Sequence, residues 1–298
     1  MESFATGVIL YLRQYSFHGL DIDWQFPTTS VMKWGLVKLL EILRRKFNDW
    51  LLPPRYLLTL KCPGVYNPVG YDVPAISRYV DYVILAAYNL PTPNSAQAWF
   101  GSPLYSRHIS VDSSVREWQR AGLPVSKMVV GISPVGRFLK LQQETAFTPG
   151  SPIHSETLTG SLFNIPKGLA YPEICEMFKN GTKHYDNASQ MHYLVAGNTW
   201  VGYEDTESIK AKITWMGKLG VPGVMFSAID LDDFKGTVSV DDVVVGVEDV
   251  RAVTTVILSD NSLINFCSGK RPRPQIYSIN VMMIMMMITI KIIILRLK

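Results

Sequence analysis

The chain has 298 residues, of which 47% are hydrophobic, 18% charged and 11% aromatic, enough apolar content to bury a sizeable core. Those proportions exclude a disordered polymer, a collagen-like repeat and a small disulfide scaffold. The 29 basic and 25 acidic residues leave a formal charge of only +4, without the concentrated basic face that nucleic-acid binding requires. Cys62, Cys175 and Cys267 show neither CxxC nor metal-ligand spacing, so no metal site and no cofactor is expected.

No secretory signal is visible in the opening residues, which lack a basic region followed by a long apolar stretch. Phe4, Val8 and Tyr11–Leu12 fall on one helical face instead, predicting a helix. From there short apolar runs alternate with helical patterns, the mark of an α/β protein with a parallel sheet. Gly19–Trp24 reads as a strand closed by Pro27, and Val31–Phe47 as an amphipathic helix. Tyr56–Lys61 is a second strand, closed by Pro63–Gly64. A short helix begins at Ile76–Tyr79, and Tyr82–Tyr88 is a buried strand closed by Pro91. Val111–Ala121 is a helix stopped by Gly122 and Pro124, followed by a strand at Met128–Ile132. Thr206–Leu219 is a helix stopped by Gly220, and Gly223–Ile229 is the fifth strand.

Residues 138–205 break this rhythm with Gly, Pro, Thr, Ser and aromatics, and read as an inserted lobe. They carry two N-x-[ST] sequons, at Asn180 and Asn187, which matter only in an exported chain. The boundaries expected are barrel-type units over 1–137, the lobe over 138–205, a last unit over 206–236 and an atypical extension over 237–298. Within that extension 275–298 is almost all Ile, Met and Lys. Ile276–Leu295 has the length of a bilayer span, interrupted by Lys291, and a genuine span would make the membrane a partner. These residues also share A/T-rich codons, which favours readthrough into non-coding sequence.

The chemistry concentrates in His18-Gly-Leu-Asp21-Ile-Asp23-Trp-Gln25-Phe-Pro27. Strand residues two apart face the same side, so Asp21, Asp23 and Gln25 form one polar row with steps of roughly 6–7 Å. Two carboxylates in such a row are costly to bury without partners. Ligand sites of parallel α/β folds lie beyond the carboxyl ends of the strands, which is where this row leads.

HGLDIDWQFP resembles the signature of the family 18 glycoside hydrolases, the chitinases and chitinase-like lectins, in which DxxDxDxE lies on the fourth strand of a (β/α)8 TIM barrel. YDVPAISRYVDYVILAAYNL is similar to the family's sixth-strand segment and WQRAGLPVSKMVVGISPVGR to its seventh. YPEICEMF and WVGYEDTESIKAKITWMGKLGVPGVMFSAIDLDDFKG resemble the inserted α+β lobe and the eighth strand. The resemblance covers roughly residues 1–236 and implies a partial barrel, about strands 4–8, with an inserted lobe. By the same comparison the first three β/α units are missing, leaving two sheet edges open unless another segment covers them. The implied ligands are chitin or N-acetylglucosamine oligosaccharides, and the implied setting is extracellular.

The resemblance also marks departures. Gln25 stands where the family has the Glu that protonates the glycosidic oxygen, and general acid catalysis is typically worth about 10²–10⁴-fold. An amide cannot supply that proton, although it can hydrogen-bond a sugar. Asp23 matches the residue that orients the substrate's acetamide, Tyr88 the tyrosine that hydrogen-bonds it, and Asp21 the supporting carboxylate. His18 replaces the first Asp of the signature, Ala86 a Met, Asn89 an Asp and Val135 a Tyr. Ser227 replaces the tryptophan that floors the central sugar subsite, removing roughly 0.5–1.5 kcal/mol of aromatic interaction beyond area burial. The expected outcome is a chitinase-like protein without hydrolysis and with weak sugar binding. An active hydrolase would need another acid, which the Gln25 strand does not offer.

Among the remaining aromatics, Trp24, Trp34, Trp118 and Trp215 are expected in packing roles. Trp99 and Phe100 are the candidates for sugar stacking, and Arg137 is either a substrate contact or an ion partner at the barrel mouth. The histidines do not cluster and read as surface or core residues. Residues 237–264 match nothing in the family, whereas NFCSGKRPRPQIYSIN resembles its Cys-containing continuation. That likeness implies a Cys175–Cys267 disulfide and an oxidising compartment.

Overall fold

The computed structural model describes residues 1–49, 55–92, 94–155, 158–233 and 292–297. In chain order the first half holds α1 (Glu2–Gln14), β1 (Gly19–Trp24), α2 (Ser30–Asn48), β2 (Leu57–Pro63), α3 (Val73–Tyr79), β3 (Tyr82–Ala86), α4 (Val111–Arg120) and β4 (Met128–Ile132). Then come β5 (Gly136–Lys140), β6 (Gly168–Leu169), α5 (Tyr171–Met177), β7 (Thr182–Asp186), β8 (Met191–Ala196) and β9 (Thr199–Tyr203). α6 (Thr206–Leu219), β10 (Gly223–Phe226) and β11 (Ile292–Leu297) complete the set. All five expected parallel strands form, the third stopping at Ala86 and the fifth at Phe226.

The parallel strands make one sheet in the order β10-β4-β3-β2-β1-β11. Strand alternation decides what each face holds. Leu20, Ile22, Leu58, Leu60, Val83, Leu85, Met128 and Val130 turn to the helical layer and join one buried cluster. α2 meets them with Leu36, Leu39, Leu40, Leu43 and Phe47, a helical stripe three and four residues apart. Each side chain so buried contributes roughly 1.5–3 kcal/mol. Trp118 and Trp215 are buried in the same cluster and Trp24 packs against it.

Two packing expectations are corrected. Trp34 is 67% exposed, because it lies off the stripe that α2 turns to the sheet. In α1 the buried residues are Ala5, Val8, Ile9 and Leu12, while Tyr11 is exposed and stacks with Phe17 at 6.3 Å. The face is the i, i+3, i+4, i+7 set, and Tyr11 falls one position outside it.

Among the described residues the sheet does not close: its edge strands β10 and β11 are not neighbours. β11 runs parallel to β1 from Gly19↔Ile292 to Trp24↔Leu297, covering the edge that the sequence leaves open. The end of the Ile-rich tail is therefore strand. The expectations for 237–264, 275–291 and Cys267 fall outside the described residues. Among the described residues no helix is long and apolar enough to cross a membrane.

Between β4 and α6 the chain builds an antiparallel sheet in the order β6-β5-β9-β8-β7. A buried polar knot ties this lobe to the helical layer. Lys212 of α6 donates to Glu204 Oε1 and Oε2 at 2.6 and 2.7 Å, Ser208 Oγ donates to Oε2 at 2.7 Å, and Ser102 donates to Oε1. α6 itself starts on a reciprocal Asp205–Ser208 cap and ends on Gly220 at φ 78°, the left-handed conformation that glycine adopts without strain.

Candidate functional site

On the opposite face of the parallel sheet, β1 presents Asp21 and Asp23, 0% and 3% exposed. β2 places Thr59 and Lys61 beside them, since Asp21 pairs in register with Thr59. Ile84, Val129 and Met225 form an apolar floor across β3, β4 and β10. The face thus divides: polar over β1–β2, apolar over β3, β4 and β10.

Thr59 donates its hydroxyl to Asp21 Oδ1, and Asp21 Oδ2 is buried without a hydrogen-bond partner. Burial raises the Asp21 pKa to about 7; neighbouring Asp23 adds to the rise, while the Thr59 hydrogen bond and Lys61 oppose it. A carboxyl that keeps its proton toward neutrality avoids the cost of an unpaired buried charge.

Asp23 is held differently. Its Oδ2 accepts from Lys61 Nζ at 3.1 Å, and both of its oxygens accept from Gln25 Nε2 at 3.0 Å. Burial alone would lower the Lys61 pKa, but Tyr88 and Asp23 outweigh it and leave the ammonium more basic than usual. Tyr88 is an electrostatic neighbour of Lys61. The Tyr88 ring lies over Gly131 of β4, where a Cβ would come within 2.8 Å of Tyr88 Cε1 and 2.9 Å of the Leu85 carbonyl. The glycine makes room for the tyrosine. Asp23, Gln25 and Lys61 therefore form one hydrogen-bonded group at the carboxyl ends of β1 and β2, with Tyr88 as its electrostatic neighbour past the end of β3.

Arg137 donates from Nη1 to the Phe100 carbonyl at 3.1 Å, and from Nη2 to Asn89 Oδ1 at 3.1 Å and the Leu90 carbonyl at 2.7 Å. Burial lowers its pKa to about 10. No described carboxylate lies within ion-pair distance, so its contacts are those of a loop brace: it fixes the segment after β3. Asn89 reaches it from a left-handed backbone, φ 49°. Trp99 is half-buried, with its Nε1 buried and without a partner. Phe100 is 0% exposed, packed against Trp200 and Tyr193. The expectation that Phe100 stacks on a sugar is thus corrected: it is lobe core. Ser227, half-buried past the end of β10, donates its backbone N–H to the Ile132 carbonyl at 2.9 Å. His192 is buried against Asp205 at 2.8 Å, a structural contact far along the chain from the β1 group. Among the described residues no cluster of His, Cys, Asp and Glu is arranged to hold a metal ion.

Residues 1–232 match the model of glycosyl hydrolases family 18. The chain belongs to that family. A probable endochitinase of Caenorhabditis elegans is 32% identical over 246 residues, covering 78% of this chain and 40% of that protein. The structure of an immunomodulatory active chitinase from Trichuris suis superposes with a TM-score of 0.72 at 29% identity, covering 79% of this chain and 67% of that one. Human YKL-39, described as a pseudo-chitinase with retained chitooligosaccharide binding properties, gives 0.72 at 27%, covering 78% and 68%. This family 18 chain spans two fifths of the length of its nematode relative.

Lys61 is the site residue that sequence reasoning missed. It sits 38 positions from Asp23, so no local spacing connects them. The available signal was a lysine on the same strand parity as Thr59, inside a run otherwise apolar.

Proposed function

We propose that this family 18 chain does not hydrolyse glycosidic bonds and binds N-acetylglucosamine oligosaccharides weakly, as a chitinase-like protein. The observation that carries the reading is Gln25. Its carboxamide donates to Asp23 at 3.0 Å, in the position where the family resemblance calls for the proton donor. An amide has no proton to give at neutral pH, and losing a general acid removes about 10²–10⁴-fold of rate. Asp23 and Tyr88 keep the groups that would hold an acetamide, so a sugar-shaped remnant persists without the acid. The pseudo-chitinase among the solved relatives is a precedent for separating binding from turnover. Export fits this reading, since both sequon asparagines, Asn180 and Asn187, are exposed.

The test is incubation of the purified chain with a fluorogenic chitobioside, alongside titration with the N-acetylglucosamine tetramer followed by NMR. Weak binding with no fluorophore release is expected. Gln25→Glu is expected to leave turnover undetectable too, because the described sheet around the site is open. Release by the unmodified chain above the buffer rate would overturn the reading.

A further inference from the structure

The groups that the proposed function assigns to the acetamide are already engaged. Asp23 accepts from Lys61 Nζ at 3.1 Å and twice from Gln25 at 3.0 Å, and Tyr88 is an electrostatic neighbour of the same ammonium. Lys61 is 5% exposed and Asp23 3%, so the contact is inside the site and screened from water. Its stem starts on β2, one strand from β1, on the face shared with Thr59, Asp21 and Asp23. A buried ion pair of this kind is hard to separate, because breaking it leaves both charges desolvated and unpaired.

We infer that Lys61 is the specificity-determining residue of this site: its ammonium holds the Asp23 carboxylate that an N-acetyl amide would use and stands beside Tyr88, so a neutral N-acetyl sugar enters only by displacing it. The inference rests on the proposed function for the roles of Asp23 and Tyr88. It adds a cause for weak binding that is separate from the missing acid. Gln25 removes the proton donor; Lys61 occupies the acetamide's carboxylate partner. The lysine's size and its hydrogen bond both matter, and two substitutions separate them. Lys61→Ala clears volume and hydrogen bond together, whereas Lys61→Met frees Asp23 but keeps a side chain of similar length in place.

The experiment titrates the N-acetylglucosamine tetramer into the unmodified chain, Lys61→Ala and Lys61→Met, after thermal melts establish that each variant unfolds cooperatively. Lys61→Ala is expected to bind at least about tenfold tighter than the unmodified chain, and Lys61→Met, which frees Asp23 but keeps the bulk, at least about threefold tighter. Equal or weaker binding by a folded Lys61→Ala chain overturns the inference. A second readout needs no variant: reductive methylation of the unmodified chain, mapped by mass spectrometry. Lys61 is expected to be protected in the free chain and to become reactive at saturating tetramer, and unchanged protection in the bound state overturns the inference. Fluorophore release from a chitobioside by the unmodified chain would sink the non-hydrolysing reading alone, since the affinity ratio would still decide Lys61. Absence of tetramer binding by all three chains would overturn both.

Discussion

Asp21 and Asp23 are neighbours on one strand face with different electrostatic surroundings. Asp23 has a lysine and forms an ion pair; Asp21 has a threonine hydroxyl and full burial. With its pKa raised to about 7 by burial, Asp21 in the folded state holds a proton that an unfolded carboxyl, at about 3.9, would release. Its contribution to stability is therefore full below about pH 4, declines as pH rises toward 7, and is level above that. Asp21→Asn removes the titration. The unfolding free energy of the unmodified chain minus that of the variant, from urea titrations at several pH values, should fall between about pH 4 and 7 and then flatten. A difference that climbs with pH across that window would refute the assignment. The residue scale is also where the sequence was most and least informative. The row Asp21, Asp23, Gln25 follows from a period of two, and Gln25 does reach Asp23. The partner that matters most, Lys61, was invisible because its proximity comes from strand pairing and not from spacing.

At the scale of elements, the lobe and the helical layer are joined by Glu204 and Lys212, 2% and 1% exposed at their side chains. Removing one member leaves the other charged and desolvated, which typically costs about 3–5 kcal/mol, whereas removing both costs less. Lys212→Met is accordingly expected to destabilise strongly. The Lys212→Met, Glu204→Gln double variant should be less destabilised than the sum of the singles by at least about 1 kcal/mol. Denaturant titration of all four chains measures this. Additive singles would show that Ser102 and Ser208 satisfy Glu204 without the lysine. The elements themselves were legible: the α2 stripe, the alternation of β1–β4 and the stop at Gly220 all follow from local pattern. Trp34 and Tyr11 depart from expectation because a helical pattern places the buried face only to within a position: each lies just off the stripe its helix turns inward. Phe100 was misread for the converse reason, since a loop aromatic looks available until the antiparallel sheet is placed over it.

For the whole molecule, the parallel sheet is open and β11 lies along β1. Covering an edge strand removes a row of unpaired backbone groups that would otherwise template association. Deleting residues 275–298 should therefore raise light scattering and lower the concentration at which the chain remains monodisperse. A membrane-tether role for that segment gives the opposite result, improved solubility without detergent, so one truncation decides between them.

The sequence by itself determined the order of strands and helices, the polar row on β1 and the presence of an amide, Gln25, at its end, because each is written in local periodicity or in the identity of one side chain. Only the tertiary structure decided which cation meets Asp23, where the Tyr88 ring rests and what lies against the edge of β1. Those depend on contacts between segments distant in the chain, and register between paired strands is set by packing and backbone hydrogen bonds that no single segment encodes.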